Sequence, residues 1–182
     1  LRWGEVAGLR VGNVDLLRKT VTIAEQVTRG VGGAGDIGPP KSAAARRTLS
    51  IPEELADELS VHMKSLELTG ADPEKLLFPN AEAKPLDYSN WRRRVWEPAV
   101  KAAGLDGLNF HDLRRTNATA MVAEGVDVKT AQARLGHSDP RLTLAVYAQA
   151  TTEGDRRAAM KLGTRLMRSG GNDDDVSDSA RS

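Results

Sequence analysis

The chain has no cysteine, so disulfides and thiolate metal sites are closed to it, as fits a reducing cytoplasm. Only seven of its 182 residues are Trp, Tyr or Phe, which leaves a core built from Leu, Val and Ala. No stretch of 18 apolar residues offers a membrane span, and no basic, apolar, small-residue leader of the signal-peptide kind is legible. Three histidines without acidic residues at ligand spacing make a poor metal site, so no metal is expected. What remains is 40% hydrophobic and 28% charged, the mix of one soluble domain of ordinary size.

Net charge is also nearly absent, at +1, until it is divided along the chain. Residues 170–182 hold four Asp and one Arg, so the first 169 carry 25 basic against 21 acidic residues. The basic residues cluster at Lys41/Arg46/Arg47, at Arg92, Arg93 and Arg94, and at Arg114/Arg115. Such patches attract polyanions, nucleic acid among them, although a solvated helical face has the same composition.

The start, Leu1 to Leu9, has no Met and no helix-start signal, and reads as the last turns of a helix begun upstream. Residues 14–17 and the β-branched, alternating run 20–27 flank Arg18 and Lys19 as a hairpin. Residues 29–40, with five Gly and two Pro, read as a mobile loop, and residues 46–51 as a third strand. Pro52 opens a helix with Leu55, Leu59 and Met63 (or Leu66) on one face, up to a stop at Gly70. After a loop with a buried touch-down at Leu76, Leu77 and Phe78, Ser89 can cap a helix through Trp91, Val95, Trp96, Ala99 and Val100, kinked at Pro98. The helix from His111 to about Glu124 has apolar groups on both sides and is expected to be largely buried. Another helix is capped by Asp127 and stopped at Gly136. Asp139 and Pro140 open the next, which carries Tyr147 among Leu142, Leu144 and Val146. Thr151 or Thr152 begins a last helix through Ala158, Leu162 and Leu166, followed by an acidic tail over 169–182 expected to be disordered.

His111 and Arg114, three apart on a helix, point the same way, toward an anion-sized target or toward an internal carboxylate with a core histidine beside it. His137 follows the helix-ending Gly136, where a side chain lines a cleft or bonds a nearby carbonyl. Tyr147 alone suits a core or rim position. Its phenol, with a pKa of ~10, becomes a nucleophile only where neighbouring cations stabilise the phenolate.

Taken in order, these residues resemble the catalytic domain of the tyrosine recombinases, the phage-integrase family. Arg2, Gly4, Glu5 and Leu9 match its first arginine box, and Pro40-Lys41 to Arg47-Thr-Leu-Ser-Ile-Pro52 its lysine-bearing hairpin. His111, Leu113, Arg114, Arg115 and Thr116 match the second arginine box, Leu135 to Ser138 the histidine box, and Val146-Tyr147 the nucleophile. The similarity covers about residues 1–150.

The resemblance implies an α+β fold, mostly helical with a three-stranded antiparallel sheet (the DNA breaking-rejoining enzyme fold). It implies a catalytic domain over residues 1–168, truncated at its N-terminal side. It also implies that Tyr147 attacks the scissile phosphate to give a 3′-phosphotyrosyl link and a free 5′-hydroxyl, without metal or nucleotide cofactor. Arg2 and Arg114 would hold the non-bridging oxygens, Lys41 protonate the leaving 5′-oxygen, His111 handle the tyrosine proton and His137 bond the phosphate. Glu5 would brace the histidine and arginine geometry. Lys19, on the first hairpin turn, competes with Lys41, because small residues follow Lys41 where the family often has polar ones; the long Gly-rich loop before it argues against an ordered lysine without DNA. Implied partners are double-stranded DNA at a specific site, contacted by Arg92, Arg93, Arg94 and Arg115, three further copies in a homo-tetramer on DNA, and accessory bending or directionality factors. A monomer without DNA, in the cytoplasm of a bacterium and associated with its nucleoid, is the implied setting. The rivals are a type IB topoisomerase and a DNA-binding module that has lost activity.

Overall fold

The alternation of β-branched residues at 20–23 decides the first half of the molecule. In a computed structural model, which describes residues 1–28, 35–148, 155, 159 and 160, strand β2 (Thr20–Ile23) buries Val21 and Ile23 and lies at the centre of a three-stranded antiparallel sheet. Its neighbours are β1 (Val14–Asp15), with Val14 opposite Val21, and β5 (Arg47–Ser50), with Val21 opposite Leu49 and Ile23 opposite Arg47. Lys19 takes the left-handed turn position between β1 and β2, with φ of 51°. The second strand does not run unbroken to Val27. It stops at Ile23, and β3 (Gln26–Val27) pairs instead with β4 (Ile37–Gly38), so part of the expected Gly-rich loop is a ribbon. That ribbon lies against α1 (Trp3–Ala7): a Cβ on Gly4 would stand 2.5 Å from the Val27 carbonyl oxygen, and one on Gly8 would stand 3.0 Å from the Gln26 Cα. Glycine is needed at both positions because two backbones meet there.

Helix α2 (Glu53–Ser65) covers the sheet with Leu59 and Met63, as expected, and with Ala56 in place of Leu55; Leu55 and Leu66 are exposed. The touch-down is present: Leu77 N–H donates to the Leu9 carbonyl at 2.8 Å and the Leu77 side chain is fully buried. Leu9, Val11, Val21, Ile23, Leu59, Met63 and Leu77 form the first core cluster.

The second half is helical. Asp87, rather than Ser89, caps α3 (Tyr88–Trp91), its carboxylate accepting from the Asn90 N–H at 2.8 Å. A π turn (Arg92–Trp96) then leads into α4 (Glu97–Ala102), with Pro98 in the first turn of α4, where its missing N–H disrupts no α-helical bond. The π turn has a consequence for packing. Residues five apart on an α-helix lie about 140° apart around the axis, yet Trp91 and Trp96 stack at 5.6 Å, because the wider turn brings them onto one face.

Helix α5 (Phe110–Ala123) begins at Asn109, whose N–H is accepted by the Asp112 carboxylate at 2.9 Å. It buries one face only, Arg114, Ala118 and Met121, while Leu113, Ala120 and Ala123 are exposed; the expected two-sided burial is not found. Helix α6 (Val128–Leu135) has the cap and stop read from sequence: Asp127 accepts from Thr130 N–H, and Gly136 is left-handed at φ 65°. Helix α7 covers residues 140–148. Ala118, Met121, Ala131 and Leu135 form the second core cluster, against which Val126, Val146 and Tyr147 pack. The last helix proposed from Thr151 or Thr152 and the acidic tail lie essentially outside the described residues.

Candidate active site

The site is built around one buried carboxylate. Glu5 is 1% exposed, and its two oxygens take Arg47 Nη1 and Nη2 at 3.1 and 3.0 Å, Arg2 Nη1 at 3.0 Å and the Arg2 backbone N–H at 2.9 Å. Burial alone would raise its pKa; the hydrogen bonds from Arg47 and Arg2 outweigh that and hold it at about 2. Arg47 arrives from β5, where the inward position of the strand aims it at α1. Its Nε also donates to the Arg134 carbonyl and its Nη1 to the Ala45 carbonyl, each at 2.9 Å. In return Arg134 Nη2 donates to the Ser50 carbonyl at 3.0 Å, so β5 and the end of α6 are joined twice.

The end of α6 presents carbonyls to the two expected phosphate-binding arginines. Arg114, 6% exposed, donates from Nη2 to the Leu135 carbonyl, and Arg2 donates from Nη2 to the Gly136 carbonyl at 3.3 Å. Burial first, then the charges of Arg2 and Arg47 working against that of Glu5, lower the Arg114 pKa to about 10, so it stays cationic at neutral pH. Arg114 Nη1 is buried and has no hydrogen-bond partner among the described residues. A buried guanidinium with an idle N–H is an anion acceptor in waiting. Arg2, by contrast, keeps 40% of its side chain exposed.

His137 follows directly. Its Nδ1 meets the Thr143 hydroxyl at 2.9 Å, its carbonyl accepts from Gln132 Nε2 at 3.1 Å, and Thr143 is fully buried. Burial, then the charges of Arg114, Arg2 and Arg47, lower the His137 pKa, so the imidazole is neutral near pH 7 with Nε2 left for a ligand. The partner is a side chain, not the backbone carbonyl considered from sequence. His111 lies near enough for its charge to act on His137, and it stands exposed at the rim of a cavity of about 550 Å³ lined by Trp3, Tyr88 and Phe110 among others.

Lys41 and Lys19 separate clearly. Lys41 lines a cleft of about 670 Å³ together with Arg2, Gln26, Ser42, Gly136 and Ser138. Lys19 Nζ is engaged with Glu53 Oε1 at 3.0 Å on the first hairpin turn. Lys41 lies three residues past β4, on the segment that leads to β5.

Tyr147 lies at the rim of the second core cluster, the position its residue type alone suggested. Its hydroxyl donates to the Val126 carbonyl, and its ring packs on the second core cluster. Burial and then the Asp127 carboxylate raise its pKa, the reverse of activation by cations. On α7 the buried residue is Thr143, while Leu142 and Leu144 are exposed.

The four outlying arginines are all at the surface. Arg92 pairs with Glu97 at 3.1 Å, Arg93 Nη2 donates to Asn90 at 3.4 Å, Arg115 approaches Asp112 at 3.9 Å, and Arg94 is exposed. Three features escaped the sequence reading. Arg47 was placed in a basic cluster and in the lysine-bearing hairpin but given no role at the site, although the alternation of β5 marks it as inward. Thr143 gave no signal. Trp3, Tyr88, Trp91, Trp96 and Phe110 form one chain of ring contacts between 5.1 and 6.5 Å, which packs α1, the π-turn helix and the start of α5 beside Arg2 and His111.

Among the described residues no group of His, Asp and Glu is placed to hold a metal ion, and no helix is long and apolar enough to cross a membrane. Comparison with known proteins gives a consistent answer. The integrase of Mycobacterium phage L5 is 29% identical over 162 residues, 87% of this chain and 43% of that protein. A putative prophage phiRv2 integrase of Mycobacterium tuberculosis is 34% identical over 164 residues, 89% of this chain and 42% of the relative. Tyrosine recombinase XerA of Thermococcus kodakarensis is 31% identical over 163 residues, covering 88% and 50%. The chain thus spans about half the length, or less, of the curated relatives it matches. In fold it resembles the Tn1549 transposon integrase solved with circular intermediate DNA, at a TM-score of 0.69 and 22% identity over 89% of this chain and 56% of that one. XerA recombinase gives a TM-score of 0.64 at 22% identity, over 86% and 51%. Residues 1–153 match the phage integrase family, and the chain belongs to it.

Proposed function

We propose that this chain is the catalytic domain of a site-specific DNA recombinase that cuts and rejoins strands through a 3′-phosphotyrosine, serving integration or excision of a mobile element. The observation that carries the reading is the idle, buried Arg114 Nη1, with Arg2 beside it, held by carbonyls of the loop that presents His137. Three guanidinium groups and the Glu5 carboxylate leave a surplus of two positive charges. A phosphodiester attacked by a phenolate passes through a species carrying two negative charges, so the site is matched to the transition state more than to the substrate.

In this mechanism the Tyr147 oxygen forms the new bond to phosphorus while the bond to the 5′-oxygen breaks. His111 accepts the phenol proton, and Lys41 donates a proton to the departing 5′-oxygen, which leaves as the hydroxyl. Arg2, Arg114 and His137 Nε2 hold the non-bridging oxygens. Rejoining is the same step reversed. Tyr147 first has to leave Val126, which makes the observed arrangement a resting one. Arg92, Arg93, Arg94 and Arg115 would contact phosphates without reading sequence. The Tn1549 transposon integrase, similar in fold and solved with circular intermediate DNA, supports a DNA partner. Assembly as a homo-tetramer on DNA, accessory bending factors and action in the cytoplasm belong to the same proposal.

The test is covalent capture. The full-length polypeptide is incubated with a nicked duplex carrying the attachment repeat that flanks its gene, and denaturing gels report a protein–DNA adduct. Wild type is expected to form it and Tyr147→Phe to lose it. An adduct with Tyr147→Phe would remove the nucleophile assignment. Binding without any adduct by wild type would favour the inactive DNA-binding module instead.

A further inference from the structure

We propose that Arg47 is a positioning residue for strand cleavage: it sets Arg2 and the His137 loop against the Lys41 segment without itself touching DNA. The proposal rests on the recombinase reading and deepens it. Among the described residues Arg47 is the only side chain that joins all three parts of the site. It bonds both oxygens of Glu5, which in turn holds Arg2. It donates to the Ala45 carbonyl, four residues beyond Lys41, and to the Arg134 carbonyl, three residues before His137. It also fills the space beside Gly136, where a Cβ would stand 2.7 Å from Arg47 Nη1.

Its donors decide its role. A guanidinium carries five N–H groups. Arg47 uses Nε once, Nη1 twice and Nη2 once, all on protein oxygens, and its side chain is only 7% exposed. Arg114, by contrast, keeps Nη1 idle, and Arg2 keeps 40% of its side chain in solvent. Of the three guanidinium groups around Glu5, two are available to a phosphate and one is consumed by the framework. The charge of Arg47 is met by the bidentate carboxylate, so its effect on DNA runs through geometry: with the fork removed, Glu5 is free to turn, and Arg2 with it. Lysine keeps the charge at this position but cannot reproduce a planar fork bonded to four oxygens.

The experiment compares wild type with Arg47→Lys and with the double variant Glu5→Gln/Arg47→Met, which removes both members of the Arg47–Glu5 pair together. All are full-length chains on the nicked duplex described above, at a saturating duplex concentration. Arg47→Lys is expected to form the adduct roughly 100-fold more slowly, the scale of loss that a displacement of about 1 Å produces, with duplex affinity within about twofold of wild type. Replacing one non-bridging oxygen of the scissile phosphate by methyl removes the charge that Arg2 and Arg114 hold, so the deficit should shrink to less than about tenfold on that substrate. The double variant is expected to fold and to show the same slow cleavage. A wild-type rate in either variant overturns the proposal, as does a deficit that is equal on both substrates or is matched by lost affinity. A readout without DNA keeps the two proposals apart. Hydrogen exchange at the Arg2 backbone N–H, which Glu5 accepts at 2.9 Å, followed by nitrogen-15 NMR, is expected to be more than tenfold faster in Arg47→Lys than in wild type. If wild type forms no adduct the recombinase reading fails, while unchanged exchange at Arg2 overturns the positioning role by itself.

Discussion

The Tyr147 hydroxyl donates its hydrogen bond to the Val126 carbonyl, on the turn between α5 and α6, and its pKa is raised by burial and by Asp127 rather than lowered by arginine. The difference in phenolate absorbance between wild type and Tyr147→Phe is therefore expected to titrate above the ordinary value of 10.0. Adding nicked duplex should move that titration downward, since leaving Val126 for the guanidinium cluster reverses both causes. A titration unmoved by duplex would mean that the phenol never reaches the cluster. The hydrogen bond itself contributes about 1 kcal/mol, so the Phe variant should remain folded.

Glu5 sets a second expectation. Its folded pKa is about 2 against an ordinary 4.5, a depressed value, so its contribution to stability is present above about pH 4.5 and lost as pH falls toward 2. Glu5→Gln leaves Arg47 buried without its counter-charge, which costs about 3–5 kcal/mol. Urea unfolding of the two proteins should give a constant gap above pH 5, closing as the pH falls through that window. A gap that persists unchanged at pH 2 would refute the assignment of the ion pair as its source.

Lys41 and Lys19 can be told apart by the leaving group. A 5′-bridging sulfur departs as a thiolate without needing a proton. Lys41→Met should cleave the ordinary nicked duplex slowly and recover most of the rate with sulfur at that position. Lys19→Met, which loses only a surface contact with Glu53, should cleave both substrates like wild type. Sulfur rescue of the Lys19 variant alone would exchange the two assignments.

Gly136 answers to two constraints, and they are separable. Its φ of 65° costs an alanine about 1 kcal/mol, and a Cβ would meet Arg47 Nη1 at 2.7 Å. Asn tolerates the left-handed region but carries the same Cβ. Gly136→Asn should therefore be nearly as destabilised as Gly136→Ala in thermal unfolding. Wild-type stability in the Asn variant would show that backbone conformation, not Arg47, requires the glycine.

These cases also show what a sequence discloses. Asp127 capping α6 and Gly136 ending it were legible because caps depend on local backbone needs. The β1–β2 hairpin was legible for the same reason. Ser89 lost its cap position to Asp87, two residues earlier, since either side chain satisfies the same orphan N–H groups and only the chain path chooses. The outer face of α5 read as buried because Leu113, Ala120 and Ala123 are apolar; nothing among the described residues covers them. Arg2, Glu5 and Arg114 meet at the end of α6 that leads to His137, although they come from separate parts of the chain. The pose of Tyr147, the hidden role of Arg47 and the Thr143–His137 contact all depend on packing between segments far apart in sequence or on the path of a turn, and no local pattern encodes those.

The aromatic chain that links α1 to α5 holds all three tryptophans of the protein, with Trp3 next to Arg2 and Trp91 and Trp96 against Phe110, the neighbour of His111. Light absorbed by any indole in this chain is thus emitted from one neighbourhood, at the junction where the two arginine boxes meet. Tryptophan emission in this protein is a built-in gauge of whether those boxes are in register, readable without a label, and it is nearly blind to the sheet and to α6 and α7.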